Sequence, residues 1–551
     1  MKLYNKSLFV GLGAIVALTA CNDLDTELKS ENVTTTTKEE VLEQNPDMAL
    51  GSVNAIATGA YQLQAITSNH YDFGLPSVMM MLDSNGQDFI SANSGYNWMT
   101  SAVALTCGSY TGQETYEVWY TLYNGINTEN SLLATIPADT EDETLMFYRA
   151  QGLCFRAFDY WILSQVYQQN YYGNQSLPCV PVITEENMLE AASEGWPRNT
   201  VQEVYDQILS DLNEAVELLS NTPVKAQNVI SAKPKRFFNL DTAYGMLARV
   251  YLTMHDYENA QKAAENCLAV TSCQPYSIAD VSKPTFINLE DSSWLLGQAV
   301  AETDAPVLSG IVNFPSFMGT FNYGYCQYGA WKWINKILYN SIPATDVRKG
   351  WWLNADFKSA NLTQPYYDYM DSYGYTSNVN ISSDDSNFQA ILAYTQVKFA
   401  PYNYVIDTST NASDIPYFRI EEVYYILYEA MAMNGNTGGA LSGLQSFVKT
   451  YRNPSYNFSN TDASAIQDEI WMQRRIEFWG EGFVSWFDLK RLGKGIDRVG
   501  AGYPSPFVYQ IPAGSEMFVI PIPQQETTTN KKLPQSDNNP NWSRPTPVAD
   551  I

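Results

Sequence analysis

Hydrophobic positions along this chain recur mainly at helical spacing. Residues 199–219 (NTVQEVYDQILSDLNEAVELL) place Val204, Ile208, Leu212, Ala215 and Leu219 on one stripe behind an Asn/Thr cap, the pattern of an amphipathic helix. Residues 143–168 (ETLMFYRAQGLCFRAFDYWILSQVYQ) are apolar around most of a helical circumference, which predicts a buried helix. Residues 270–415 break this rhythm. They are rich in Gly, Pro, Asn, Ser and Tyr, and FNYGYCQYGAWKW and YYDYMDSYGYTSN read as loops with short elements. DSNGQDFISANSGYNWMTSA, from Asp83, has the same character. Loops on a rigid helical frame are the usual place for recognition.

Two stretches pair helices. In 241–270, Tyr244, Leu247, Ala248, Tyr251, Ala260, Ala264 and Cys267 fall at the spacing of a tetratricopeptide hairpin, and the small residues 248, 260 and 264 let two helices approach closely. Tyr424, Leu427, Met431, Ala440, Leu444 and Phe447 echo it more loosely. The predicted fold is mainly α, a tetratricopeptide-like helical scaffold with an irregular, loop-rich insertion. Its parts are a helical region at 46–269, the irregular region at 270–415 and a C-terminal region at 416–551, whose last polar stretch runs over the surface.

The N-terminus changes the picture. Lys2 and Lys6 precede LFVGLGAIVALTA, an apolar run of 13 residues, too short to span a bilayer and the length of an export signal. Leu18-Thr19-Ala20-Cys21 resembles a bacterial lipobox, so 1–20 are read as a lipoprotein signal and Cys21 as the lipidated residue. The alternative is an ordinary secretory signal with a coincidental cysteine. Residues 21–45, acidic and threonine-rich, are read as a tether.

Composition narrows the function. Of 551 residues, 59 are acidic and 32 basic, a net charge of −27 with no Lys/Arg-rich run, which repels nucleic acid. The other cysteines, at 107, 154, 179, 267, 273 and 326, form no CxxC; Cys267 and Cys273 are either a disulfide or two buried thiols. Two histidines are too few for a histidine-rich metal site. No phosphate loop, GxSxG, HExxH or dinucleotide fingerprint occurs. DSNGQD fails as an EF-hand: Gly86 stands where glycine should be at 88, and Ser94 replaces the bidentate glutamate. No cofactor is expected, and a structural calcium is left open.

RRIEFWGEGFVSWFDLKRLG (474–493) packs seven charged side chains and two tryptophans into twenty positions. Read as a helix through Glu481, it puts Arg474, Glu477 and Glu481 along one side with Arg475 adjacent. Two glutamates beside tryptophan are what a glycoside hydrolase would use. Arginines alongside depress carboxylate pKa values, which favours a permanent ion-pair network including Asp488.

These segments, taken in order, resemble the SusD/RagB family of outer-membrane nutrient-binding lipoproteins. The resemblance rests on the lipobox, YRAQGLCFRAFDYWILSQVYQQNYYGNQSLPCVPV, WPRNTVQEVYDQILSDLNEAVELL, the tetratricopeptide pair, DIPYFRIEEVYYILYEAMAMNG, the 474–493 segment and FVIPIPQQETTTNKKLPQSDNNPNW. Where family members often carry arginine after the Glu-Gly pair, this chain has Val484-Ser485, and Tyr428 stands where alanine is common. The resemblance implies a SusD-like fold, non-catalytic glycan capture at the cell surface, lipid anchoring in the outer membrane, and delivery to a SusC-like TonB-dependent transporter. It implies a structural role for 474–493. Peptide capture, as in RagB-like relatives, is the alternative; a surface glycoside hydrolase and a purely structural tetratricopeptide adaptor come behind it.

The family shares no invariant ligand motif, so site residues come from the loops. Sugar rings lie on aromatic faces and their hydroxyls need nearby donors and acceptors. The early loop offers Tyr96 and Trp98 with Asp83, Asp88, Asn93 and Asn97, and the middle offers Tyr323, Tyr325, Tyr328 and Trp331. The two tryptophans come first, and the acidic balance favours a neutral glycan.

Overall fold

The computed structural model describes residues 41–550 except 43, 64–69, 71 and 93–98. Cys21, Asn93, Tyr96, Asn97 and Trp98 lie outside the described residues. The principal elements are α1 (Leu50–Gly59), α2 (Leu75–Asn85), β1 (Phe89–Ser91), α3 (Gln113–Leu133), α4 (Glu143–Tyr167), α5 (Val201–Asn221), α6 (Leu240–Met254), α7 (Tyr257–Val270), β2 (Trp294–Gln298), β3 (Lys332–Ile334), β4 (Ile415–Arg419), α8 (Ile420–Met433), α9 (Thr437–Tyr451), α10 (Ala463–Glu477) and α11 (Ser485–Arg491).

The helices form one continuous stack. α4, buried along nearly its whole length, packs between α3 and α5; α5 meets α6, and α6 pairs with α7. α7 then packs on α8, which pairs with α9 and α10, so the second hairpin continues the first across 150 residues of intervening chain. Thr200 closes a reciprocal capping box with Glu203 at the head of α5. Tyr428 is accommodated by the bare backbone of Gly443 on α9: a Cβ there would lie 2.3 Å from its ring. This glycine is why a large ring fits where two helices come close.

The irregular region is sewn to the stack by short antiparallel pairs. β2 pairs with β4, which leads directly into α8. β1 pairs with β3 (Phe89 opposite Ile334, Ser91 opposite Lys332), bringing the early loop to the middle of the chain.

One expectation needs correcting, and three become specific. The helix of the 474–493 segment stops at Glu477, because Gly480 (φ +77°) and Gly482 (φ +86°) turn the chain in the left-handed region where other residues are strained. The short element expected in YYDYMDSYGY is the helix Gln364–Asp371. The C-terminal stretch runs over the surface as expected and is pinned there by one buried ring: the Trp542 backbone N–H donates to Gly108 O (2.9 Å) and its indole to Val519 O (2.9 Å). Cys267 and Cys273 are separate buried thiols.

Candidate functional site

The 474–493 segment holds its charges inside the protein. Glu477, wholly buried, accepts from Arg452 (2.7 and 2.8 Å), Arg419 (3.0 Å) and Arg348 (3.3 Å). Glu481, swung back by its flanking glycines, accepts from Arg419 (2.8 Å) and Lys398 (2.6 Å). With Arg452–Glu421 and Arg348–Asp346, the cluster closes as four cations (Arg348, Lys398, Arg419, Arg452) and four anions (Asp346, Glu421, Glu477, Glu481). Burial alone would raise the Glu477 carboxyl, but the guanidiniums of Arg452 and Arg419 hold it well below the usual range. A carboxylate so held neither donates a proton at neutral pH nor reaches solvent.

Two neighbours on the same helix serve other networks. Arg474 joins Asp488 (2.7 Å) and Glu422 (3.3 Å), and with Arg249, Arg491 and Glu429 this second cluster balances three cations against three anions. Arg475 grips Asp88 through two hydrogen bonds (2.8 and 2.6 Å) while the Trp479 indole donates to Asp88 O (2.8 Å).

Several proposed ligand residues therefore sit in the interior. Asp88 is the partner of Arg475. Asp83 accepts from Gly482 N–H (3.0 Å), and burial pushes its carboxyl up to about 8. Trp331 has no exposed surface; it donates to Gln389 O (3.2 Å) and packs edge-on to Tyr373 with ring centres 5.9 Å apart. Tyr325 is buried against Phe317 and His70. None of the four presents a face to a sugar. The sequence could not show this, because an aromatic between glycines reads alike in a core and on a surface.

Tyr323 and Tyr328 do face solvent, at 38% and 42% exposure. Their hydroxyls lie close together, and the Tyr323 hydroxyl, more than burial, raises the pKa of Tyr328. Behind them Gln327, itself buried, donates to Tyr369 Oη (2.7 Å) and to Asp407 Oδ1 (2.7 Å). The Tyr373 hydroxyl, its pKa raised by burial, is hydrogen-bonded to Tyr369 and lies near Asp407 and Tyr328. Four phenols and one exposed carboxylate thus converge on one surface.

The frame of this surface is rigid. Phe321, wholly buried, stacks against Tyr366 (4.5 Å) on the helix Gln364–Asp371, fixing the 321–328 loop to the strand-poor middle. Asp407 is held with φ +63° by its N–H to Phe321 O (2.9 Å), and Asn403 and Tyr404 share that left-handed region (φ +52° and +60°). Three strained non-glycine residues in five positions are a costly arrangement of the kind that clusters at binding sites. Gln327, Tyr369, Tyr373 and Asp407 were missed by sequence reasoning. The available signal was the spacing of Tyr366 and Tyr369, which puts them on one side of the helix Gln364–Asp371, with Tyr373 just beyond its end.

A separate cleft of about 340 Å³ is lined by Trp119, Tyr123, Trp196, Asn127, Glu526 and Asn530, among others. Among the described residues no group of three or more His, Cys, Asp or Glu side chains gathers as a metal site, and no helix is long and apolar enough to cross a membrane.

Known proteins share this architecture. Residues 40–252 match a SusD-like family model described as starch-binding associating with outer membrane, and residues 332–542 match the SusD family model. SusD-like protein P38 of Formosa agariphila is 22% identical over 411 residues, covering 70% of this chain and 74% of that protein. A SusD-like carbohydrate binding protein from Bacteroides vulgatus superposes with a TM-score of 0.68 at 21% identity, over 91% of this chain and 98% of that one. Surface glycan-binding protein A from Bacteroides thetaiotaomicron, solved in complex with laminarihexaose, superposes with a TM-score of 0.63 at 17% identity, over 90% and 99%. Tyr323, Gln327 and Tyr328 fall between the two matched stretches, whereas Tyr369, Tyr373 and Asp407 lie inside the second. With both stretches in order on a shared helical frame, the chain belongs to the SusD family.

Proposed function

We propose that this protein captures a neutral oligosaccharide without catalysis, at the surface formed by Tyr323, Tyr328, Tyr369, Tyr373, Gln327 and Asp407. The observation that carries the reading is the pair of solvent-facing tyrosines backed by a braced set of hydroxyl, amide and carboxylate groups. Exposed rings supply the faces on which sugar C–H groups lie, and the polar groups behind them serve sugar hydroxyls. The glycan complex of the Bacteroides thetaiotaomicron relative supports the ligand class. Asn93, Tyr96, Asn97 and Trp98 remain part of the proposal, since β1–β3 pairing brings the segment that precedes them to the same region.

In this reading Cys21 carries the lipid that holds the protein at the outer membrane, facing outward, and a SusC-like TonB-dependent transporter receives the glycan. No cofactor takes part. The family description as associating with the outer membrane supports this placement.

The test is retention of the full chain, in detergent, on neutral and acidic polysaccharides, for wild type and for Tyr323→Ala/Tyr328→Ala. The expected result is retention on one neutral polysaccharide, weakened at least about tenfold by the double variant, or about 1.4 kcal/mol. Equal retention of both proteins sinks the site while keeping the function. The aromatic-walled cleft of about 340 Å³ at Trp119 and Trp196 favours a second reading, peptide capture. Binding of peptides but no glycan, abolished by Trp196→Ala, would select it.

A further inference from the structure

Two buried carboxylates in the helical stack have no counter-charge. Glu129 on α3 and Asp159 on α4 are 2% and 7% exposed. Glu129 Oε2, wholly enclosed, has no hydrogen-bond partner. Gly125, one turn before Glu129, makes room for the pair. A Cβ at 125 would lie 2.2 Å from Asp159 Oδ2 and 3.5 Å from Glu129 Oε1, so one oxygen of each group lies within 3.5 Å of a single point.

The nearest cation is already committed. Arg156 donates to both oxygens of Asp211 (2.8 and 2.7 Å), to Asn130 Oδ1 (2.7 Å) and to Glu185. Asp211 adds to the negative potential at Glu129. Two carboxylates taken out of water without a cation of their own cost several kcal/mol, a cost relieved by a shared proton or by a bound cation.

The surroundings favour the cation. Both groups line a cavity of about 120 Å³, whose wall also includes Gln62, Asn124 and Thr128. That is room for an ion and roughly three waters at about 30 Å³ each. Each of these five side chains carries an oxygen that can face an ion, the donor type of a hard cation. Calcium tolerates irregular shells of carboxylate, amide, hydroxyl and water oxygens, whereas magnesium demands near-octahedral order. Two carboxylates suffice if neutral oxygens and water complete the shell.

We infer that the cavity between α3 and α4 is a calcium site, with Glu129 and Asp159 bridging the ion from adjacent helices. It is remote in sequence from the tyrosine surface and independent of the glycan reading. Without the ion, burial and the neighbouring Asp159 hold the Glu129 carboxyl well above its usual range, so loading releases protons and affinity rises with pH.

The test is equilibrium dialysis and thermal unfolding of the chelator-treated full chain with calcium chloride, magnesium chloride, or choline chloride at matched ionic strength. The expected result is one calcium per chain and a saturable rise in Tm that choline does not reproduce. Glu129→Gln and Asp159→Asn should each weaken binding at least tenfold while keeping the wild-type circular dichroism, since each removes a buried charge rather than a packed side chain. No calcium retained by wild type overturns the inference, as does calcium bound equally by both variants. A Tm that ignores calcium but rises as pH falls from 7 to 5 overturns it too, assigning the pair a shared proton. Glycan retention is read in parallel, so failure of one proposal is distinguishable from failure of the other.

Discussion

Replacing Glu477 by Gln keeps the shape of the side chain and removes one of the four anions that balance Arg348, Lys398, Arg419 and Arg452. The cluster is left with one uncompensated positive charge in a wholly buried position, and the new amide N–H group must face an arginine. Removing one member of a buried ion cluster costs about 3–5 kcal/mol. At an unfolding entropy of about 2.1 cal mol⁻¹ K⁻¹ per residue, a chain of 551 residues loses about 3–4 °C in Tm. Differential scanning calorimetry of the full chain reads this directly. Adding Arg452→Met restores the charge balance, and Glu421 keeps Arg419 (3.1 Å). The double variant should therefore lose clearly less than the two single losses combined. Glu477→Gln should leave the glycan retention of the folded protein unchanged. An unchanged Tm together with lost retention would refute the reasoning, because Glu477 would then act on ligand and not on the fold.

Three further outcomes are expected. Asp83 keeps a proton in the folded protein up to about pH 8 that the unfolded chain releases near pH 4, so this group withdraws stability as pH rises between those values, by at most about 1.4 kcal/mol per unit; the Tm advantage of Asp83→Asn over wild type should grow from pH 5 to pH 8, and a constant difference would contradict the assignment. Gly443→Ala places a methyl 2.3 Å from the Tyr428 ring and should cost about 1–3 kcal/mol by denaturant unfolding, a loss that Tyr428→Ala in the same chain relieves. Cys107, Cys179 and Cys326 are buried thiols whose pKa values burial pushes up to about 12, so they should resist a thiol reagent until the protein unfolds; rapid labelling of the native protein would show the interior to be open.

The parts of the fold legible in the sequence are those specified locally. Helix spacing gave the stripe of α5, its Thr200–Glu203 cap and both hairpins, because each depends on residues a few positions apart. The turn at Gly480 and Gly482 was equally local, and reading both glycines would have ended the helix at Glu477. What stayed hidden depends on partners far along the chain. Trp331 is inside because Leu353, Met370, Ile391 and Val397, brought from farther along the chain, share its core cluster. Asp88 looked like a ligand group until Arg475 arrived from 387 residues away. The candidate surface was half legible. Tyr323 and Tyr328 were named from composition, but the residues that brace them come from a helix hidden in a tyrosine-rich stretch and from a strained turn near Asp407.

Helix α10 hands Arg474, Arg475 and Glu477 to three separate charge clusters, and this bears on how the molecule can be made. A chain growing from its N-terminus presents Asp88 and Lys398 before their counterparts Arg475 and Glu481 exist. A shortened product ending before residue 474 leaves Asp88 and Lys398 without those partners permanently. Completion of about the last seventh of the polypeptide thus acts as a latch that commits what precedes it, making the transition to the native state a late and nearly all-or-none event. Truncated chains should be visible to proteases as unfinished, whatever their helices have managed to form.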